Sequence, residues 1–320
     1  MSTNTKKLVF ICFSQTHLLD MAGPAHVFYE AVEYGADYEL LFVTTDKSEV
    51  LSTSGLYFSK LVHFQELELN KEDIVFLPGL DFSLLSNQEY INQLSDFFYW
   101  LKVQHHKGIW LASVCTGAFI LAETGLLDGK SCTTHWRRFA SFEERFPMVS
   151  LLKNRLFVED QFIFSSAGIS SGIDLSLFLI EKQYGSRFAM EVAREVLVYL
   201  RRSGTDPQLS LFLQHRNHLD DRVHKIQDFI TKNFHQKLTI DSMSEMVYTS
   251  PRNLTRMFKK ATGITIGNYI DKIRMEHAQQ LIREKYKMDC VAEACGFKST
   301  GQLFKLLKKM DTHANNVLNG

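Results

Sequence analysis

The sequence predicts an α/β domain, an open and mostly parallel sheet with helices on both faces, followed by an all-α domain with two helix-turn-helix units. Three observations predict it. Short apolar runs alternate with helical patterns from Leu8 onward. Two helix-turn-helix patterns follow one another near the C-terminal end, Leu238 to Gly263 and Met288 to Lys309. Between the two regions lies Arg201-Arg202-Ser203-Gly204-Thr205-Asp206-Pro207, a natural hinge. These divide the chain into a domain over 6–203, a linker over 204–219 and a second domain over 220–320. A length of 320 residues, with 45% hydrophobic and 22% charged, suits two globular domains with ample core.

The elements follow in order. Leu8 to Phe13 is fit for a buried strand, a helix is expected from about Pro24 to Tyr34, and Tyr38 to Thr45 is a β-branched and aromatic strand. Asp73 to Leu77 is a short buried strand stopped by Pro78-Gly79. A helix from about Gln88 to His106 leads to a strand over Ile109 to Val114, and Thr116 to Thr124 turns helical at once. Leu156 to Ser165, interrupted by Glu159-Asp160, predicts a hairpin, and helices over Asp174 to Tyr184 and Arg187 to Leu200 close the domain. Asp220 to Asn233 is the expected first helix of the second domain. Thr239 caps a short helix through Val247; Tyr248-Thr249 is the turn; Ser250 caps and Pro251 opens a helix that ends at Gly263. In that helix Leu254, Met257, Phe258 and Ala261 recur at helical spacing and face a core. Arg252, Asn253, Thr255, Arg256 and Lys259 are thereby turned outward, a polar and basic face suited to base edges and phosphates. A long helix from about Ile266 to Ile282 joins this unit to its repeat, Val291 to Ser299 and beyond.

Charge is divided unevenly. The chain has 36 basic and 36 acidic residues, of which Met1 to Gly204 carries 18 and 24 and Thr205 to Gly320 the remaining 18 and 12. The basic excess sits on the helical part, as expected where one domain approaches phosphate and the other does not. No apolar stretch approaches the length of a membrane span, and the start passes directly into a strand, so a cytoplasmic protein is expected. The five cysteines, Cys12, Cys115, Cys132, Cys290 and Cys295, are odd in number and lack metal-ligand spacing, which predicts neither disulfides nor a metal site; no cofactor is expected. Cys290 and Cys295, on the helical pattern of the second unit, are expected to be buried.

Ser113-Val114-Cys115-Thr116-Gly117 has the layout of a nucleophile elbow: a buried strand ends in Cys between small residues and a helix begins at once. The helix N-terminus is expected to lower the thiol's pKa. In an open α/β sheet this position lies in the crevice beyond the strands' carboxyl ends, where ligands bind.

The runs SPRNLTRMFKKATG, NYIDKIRMEHAQQLI and VAEACGFKSTGQLFKLLKK resemble the AraC/XylS class of bacterial transcription regulators, with a DNA-binding domain of seven helices. The resemblance implies that Arg252, Thr255 and Arg256 face one major groove of double-stranded DNA, and Thr300, Gln302 and Lys305 the next. The second unit departs from that class. Gly301 sits inside its recognition helix at a cost of about 1 kcal/mol relative to Ala, Phe304 falls where a polar residue is usual, and the tail Lys309 to Asn316 lacks the usual ending. Weak sequence reading, or a grip on the backbone alone, is expected there. The stretch SVCTGAFILAETGLLDGKSCTTHW, with HLLDMAGPAHVF and SSAGISSGIDLSLFLIE, resembles the PfpI-like branch of the class I glutamine amidotransferase-like superfamily, whose sheet is flavodoxin-like; its fusion to an AraC-type domain resembles the GlxA-like regulators. From this resemblance, Cys115 and Asp20 are the candidate catalytic residues of an enzyme, and Asp20, Gly79, Cys115, Thr116 and His135 line a small pocket. Two uses of it are implied: a regulator whose first domain senses a small, often nitrogen-containing effector and forms a homodimer, or a cysteine-dependent hydratase or hydrolase with an appended DNA-binding domain.

Overall fold

The structure, a computed structural model, describes residues 5–46, 49–153, 155–198, 202–204, 208, 215, 218–283 and 286–317. It divides into two compact units, Met1–Gln208 and Leu209–Gly320. Most of the expected linker over 204–219, Arg201 of the hinge, and the last two residues of the helix expected to end at Leu200 lie outside the described residues, as do the side chains of the tail from Lys309.

The first unit runs β1 (Lys6–Cys12), α1 (Leu18–Glu33), β2 (Tyr38–Thr44), three two-residue strands β3 (Val50–Leu51), β4 (Tyr57–Phe58) and β5 (Val62–His63), then β6 (Ile74–Leu77). There follow α2 (Phe82–Leu85), α3 (Gln88–Gln93), α4 (Ser95–His106), β7 (Trp110–Val114), α5 (Gly117–Glu123), β8 (Ser131–Cys132), α6 (Phe139–Arg145) and β9 (Ser150–Leu151). The unit closes with β10 (Phe157–Asp160), β11 (Ile163–Ser166), α7 (Ser170–Tyr184) and α8 (Ser186–Glu195). Seven strands form one sheet in the order β10-β11-β7-β6-β1-β2-β5, parallel except for the β10-β11 hairpin. Its central strands read as unbroken apolar runs because both faces are covered. Val9, Ile11, Val75, Leu77 and Leu111 enter the core beneath α4 and α5, while Leu8, Phe10, Ile74, Phe76, Ala112 and Val114 enter the core beneath α1, α7 and α8.

Three expectations are corrected here. Helix α1 begins at Leu18, six residues before the expected start, and carries Pro24 inside it. Pro24 is the seventh residue of the helix, past the first turn, and gives up the N–H that a helix would bond to the carbonyl of Asp20; its ring packs on α7, where a Cβ at Gly172 would stand 3.1 Å from Pro24 Cγ. The expected helix over Gln88 to His106 is two, parted at the buried Leu94, whose N–H bonds Ile91 O at 3.1 Å in a tighter turn. The pairs β3-β4 and β8-β9 and the edge strand β5 were not expected; two-residue strands are too short to show a period.

The second unit comprises α9 (Asp221–Asn233), α10 (Ile240–Met246), α11 (Pro251–Thr262), α12 (Ile266–Arg283), α13 (Met288–Ala294) and α14 (Thr300–Val317). The caps at Thr239, Ser250 and Gly263 are the expected ones, and Asp220, expected as the first helical residue, is a cap as well. Asp220 accepts from Arg222 N and Val223 N, Thr239 from Ser242 N and Ser250 from Asn253 N, while Gly263 closes α11 in the left-handed conformation. Helix α12 serves two cores: Ile266, Tyr269 and Ile273 pack with α9, α10 and α11, and Met275 and Ala278 with α13 and Leu303 of α14. Cys295 is buried, but Cys290 is exposed, contrary to expectation; it lies one position from Val291 on α13, off the apolar stripe.

Candidate ligand site and nucleic-acid interface

Between the end of β7 at Val114 and the start of α5 at Gly117 only two residues make the turn. Cys115 takes φ +59°, a left-handed conformation that costs a non-glycine residue roughly 1–3 kcal/mol and persists only where neighbours enforce it. They do so through its backbone: Cys115 N–H donates to Ser166 O at 3.0 Å, and Thr134 Oγ1 donates to Cys115 O at 2.9 Å. Thr116 Oγ1 donates to Leu80 O and accepts from Leu80 N, both at 3.0 Å, tying the elbow to the loop after β6. Gly168, at φ +104°, passes so close to the thiol that a Cβ there would stand 2.8 Å from Cys115 Sγ.

Asp20 reaches the elbow from the first turn of α1. It is 1% exposed. Its Oδ1 accepts from Ile169 N at 2.6 Å, and its Oδ2 stands 3.3 Å from His17 Nδ1. Gly79 permits this approach, because a side chain there would collide with the Asp20 carboxylate and come within 3.0 Å of Cys115 Cβ. The structure thus brings Asp20, Gly79, Cys115 and Thr116 together. His135 caps the short turn Trp136–Arg138, its Nδ1 accepting from Arg137 N at 3.4 Å; burial holds its pKa down against the pull of the Asp20 carboxylate. His17 was missed, although its spacing three residues before Asp20 at a helix start is the signal that would have found it.

The expected activation of the thiol is overturned. Burial, and then the Asp20 carboxylate, push the Cys115 thiol well above its ordinary 9.0, outweighing the Thr116 N–H that favours the thiolate. Helix α5 has seven residues, a short dipole set against a nearly full loss of water around the sulfur.

Two residues beyond α8 rest on segments that border this site, Arg202 on the first turns of α7 and Gln208 on the loop after β8. Arg202 Nε donates to Asp174 Oδ2 at 3.0 Å and its Nη2 to Ser170 Oγ at 2.9 Å, next to the Ile169 that holds Asp20. Gln208 Nε2 donates to Thr134 O at 2.9 Å, Thr133 Oγ1 at 3.0 Å and Arg155 O at 3.1 Å, next to the hydroxyl that holds Cys115.

In the second unit α11 presents Arg252, Arg256 and Lys259 exposed, with Leu254 and Phe258 fully buried beneath. Arg256 Nη2 donates to Asn253 Oδ1 at 3.1 Å and Asn253 Nδ2 to Thr249 Oγ1 at 2.8 Å, a chain that orders the guanidinium above the helix start. Thr255 gives its hydroxyl proton to Pro251 O at 2.9 Å and keeps only acceptor capacity outward. On α14 Thr300 and Gln302 are half-buried and Lys305 exposed. Gln302 is engaged in capping: its N–H donates to Ser299 Oγ at 3.3 Å and its Oε1 accepts from Lys298 N at 2.9 Å. Phe304 is 52% exposed on the same helix.

A cysteine elbow at the carboxyl ends of a parallel sheet, backed by a buried carboxylate and followed by a helix-turn-helix unit, defines a two-part class of protein. The chain belongs to the DJ-1/PfpI family, which matches residues 6–182, and a helix-turn-helix domain matches residues 243–312. It is 31% identical over 213 residues to the HTH-type transcriptional regulator GbdR of Pseudomonas aeruginosa, covering 65% of this chain and 57% of GbdR. It is 30% identical over 179 residues to isonitrile hydratase of Pseudomonas putida, covering 55% of this chain and 71% of that enzyme. Among solved structures, a putative transcriptional regulator protein from Vibrio parahaemolyticus superposes with a TM-score of 0.53 at 18% identity, covering 61% of this chain and all of that one, a likeness of fold. The chain spans less than two thirds of the length of the regulator it matches.

Proposed function

We propose that the protein is a sequence-specific DNA-binding transcription regulator, with a sensor and dimerisation unit over 6–203, a linker over 204–219 and a DNA-binding unit over 220–320, acting in the cytoplasm. The observation that carries this reading is α11: a fully capped helix seated on its own core, whose outward face offers Arg252, Arg256 and Lys259 with Asn253 holding Arg256 in place. Arg252, Asn253, Thr255, Arg256 and Lys259 read one groove, and Thr300 and Lys305 touch the next, Gln302 contributing chiefly through its cap. The likeness to GbdR supports it.

The site around Cys115 serves as the effector pocket, formed by Asp20, Gly79, Cys115, Thr116 and His135. A buried carboxylate that Ile169 N–H and His17 already engage, beside a thiol, favours a small polar effector, a nitrogen-bearing one among them, over an apolar one. The hydratase reading finds support in one relative, but burial and the Asp20 carboxylate both favour the neutral thiol over the thiolate nucleophile. Arg202, on the first turns of α7 next to Ile169, and Gln208, on the loop that carries Thr134, support a coupling between pocket occupancy and the segment beyond α8. For the homodimer, support comes from an apolar cavity of about 1150 Å³ between α1 and the open edge of the sheet, whose rim exposes Tyr29, Phe42, Leu56, Tyr57 and Val62.

The test is Arg256→Ala in the full chain. Operator affinity, measured by fluorescence anisotropy over a series of salt concentrations, is expected to fall by about 1–3 kcal/mol if the residue reads a base, or the salt slope to flatten by about one charge if it meets a phosphate. A folded variant with both quantities unchanged refutes the role given to α11.

A further inference from the structure

At the carboxyl ends of the sheet a carboxylate, a sulfur and an imidazole from two elements meet. A ring nitrogen of His17, a carboxylate oxygen of Asp20 and Cys115 Sγ all lie within 4.8 Å of one another, and His17 Nδ1 stands 3.3 Å from Asp20 Oδ2. We propose that these three atoms form a site for a borderline divalent metal ion, Zn²⁺ above others. Tetrahedral Zn²⁺, with bonds of about 2.0 Å to N and O and about 2.3 Å to S, sets its donor atoms roughly 3.3–3.6 Å apart. The His17–Asp20 pair has that spacing already, and the sulfur needs to close by no more than about 1.5 Å, within reach of small side-chain rotations. The mixed N, O and S donor set suits Zn²⁺ and rejects Mg²⁺ and Ca²⁺, which take shells of oxygen.

Charge and support point the same way. Asp20 is 1% and Cys115 4% exposed, so a divalent cation would offset a carboxylate that water does not reach. On coordination the Cys115 thiol releases its proton to solvent and Sγ donates a lone pair; no oxidant or reductant is involved. The outer shell is in place, since Ile169 N–H fixes Asp20 Oδ1 at 2.6 Å and leaves Oδ2 to face the ion. His17 is the way in: its side chain is 37% exposed while the Asp20 side chain is fully buried. Three protein donors leave a fourth position for water, or for the donor atom of an effector, and in that last clause alone the inference rests on the sensing function proposed above.

The experiment is titration of the metal-free full chain with Co²⁺ and then Zn²⁺, in a Cys290→Ser background that removes the exposed thiol. A single Co²⁺ is expected to bind, giving visible bands of a tetrahedral ion and a thiolate-to-cobalt charge-transfer band, both erased by Zn²⁺. Cys115→Ser should remove the charge-transfer band with the far-ultraviolet circular dichroism unchanged. His17→Gln and Asp20→Asn should each weaken Zn²⁺ by no less than the roughly tenfold that losing an outer-shell partner costs. Absence of stoichiometric Co²⁺, a charge-transfer band that survives Cys115→Ser, or unaltered Zn²⁺ affinity in folded His17→Gln overturns the proposal. His17→Gln carries little folding risk because it alters a half-exposed cap. Loss of DNA binding or effector response with metal affinity intact would count against the regulatory reading and leave the metal site standing.

Discussion

Cys12 shows how a single buried thiol makes stability depend on pH. On β1 its Sγ lies 3.4 Å from Met21 Sδ, and burial pushes its pKa from 9.0 up to about 12. A group raised in the fold stabilises fully below its unfolded value and loses that contribution as pH climbs through the folded one, because above 9.0 the unfolded chain sheds the proton first. Each such thiol steepens the alkaline decline by about 1.4 kcal/mol per pH unit. Cys132, also pushed up to about 12, acts in the same sense. Urea unfolding followed upward from pH 9.0 should show a shallower decline for Cys12→Ala than for the parent chain, whatever the offset from the lost side chain. Parallel declines would show that the thiol does not titrate with unfolding. At the same scale, Asp20, Gly79, Cys115 and Thr116 were legible in the sequence because the elbow and the family resemblance mark them. His17 and Ile169 were not, since neither belongs to a motif and each matters only through what it touches.

At the scale of elements, the second recognition helix is the weak one. Gly301 lies one residue inside α14 with a helical backbone, and a Cβ there would meet only Ser299 Oγ, at 3.6 Å, an ordinary contact. Gly301→Ala should therefore stabilise the second unit by about 0.5–1 kcal/mol through a lower entropy cost of helix formation. A lower urea midpoint for the variant would show that residue 301 needs its glycine. Caps were the most legible elements, because Thr239, Ser250 and Gly263 act within four residues of sequence. The start of α1 was misread because Pro24 signals a first helical position, and only its seat on Gly172 of α7 explains it at an interior one.

For the molecule as a whole, the proposed homodimer makes a direct demand on the open side of the first sheet. Beside β5, a strand of two residues, Tyr57 is 66% and Leu56 52% exposed over an apolar groove. The full chain should sediment as a dimer at micromolar concentration. Tyr57→Glu should raise the dissociation constant by roughly tenfold or more, because a carboxylate would lose its water in the interface. A monomeric parent chain, or a variant that dimerises as tightly as the parent, would move dimerisation elsewhere or remove it.

The order of the main strands and helices, the two buried faces of the sheet, the paired helix-turn-helix units and the place of the cysteine elbow follow from the sequence alone, whereas the two-residue strands and the break at Leu94 do not. Each is written in local signals: continuous apolar runs, caps, and small residues around Cys115. Only tertiary structure decided the electrostatics of the elbow. A helix N-terminus argues for a thiolate, whereas burial beneath Gly168 and the arrival of Asp20 from α1, ninety-five positions away in the chain, argue for a thiol, and their sum favours the thiol. It was likewise tertiary structure that gathered His17, Asp20 and Cys115 around one point. Ligand spacing along a chain reveals a metal site only when the ligands share a local segment, and here the sulfur comes from a different strand end than the nitrogen and the carboxylate.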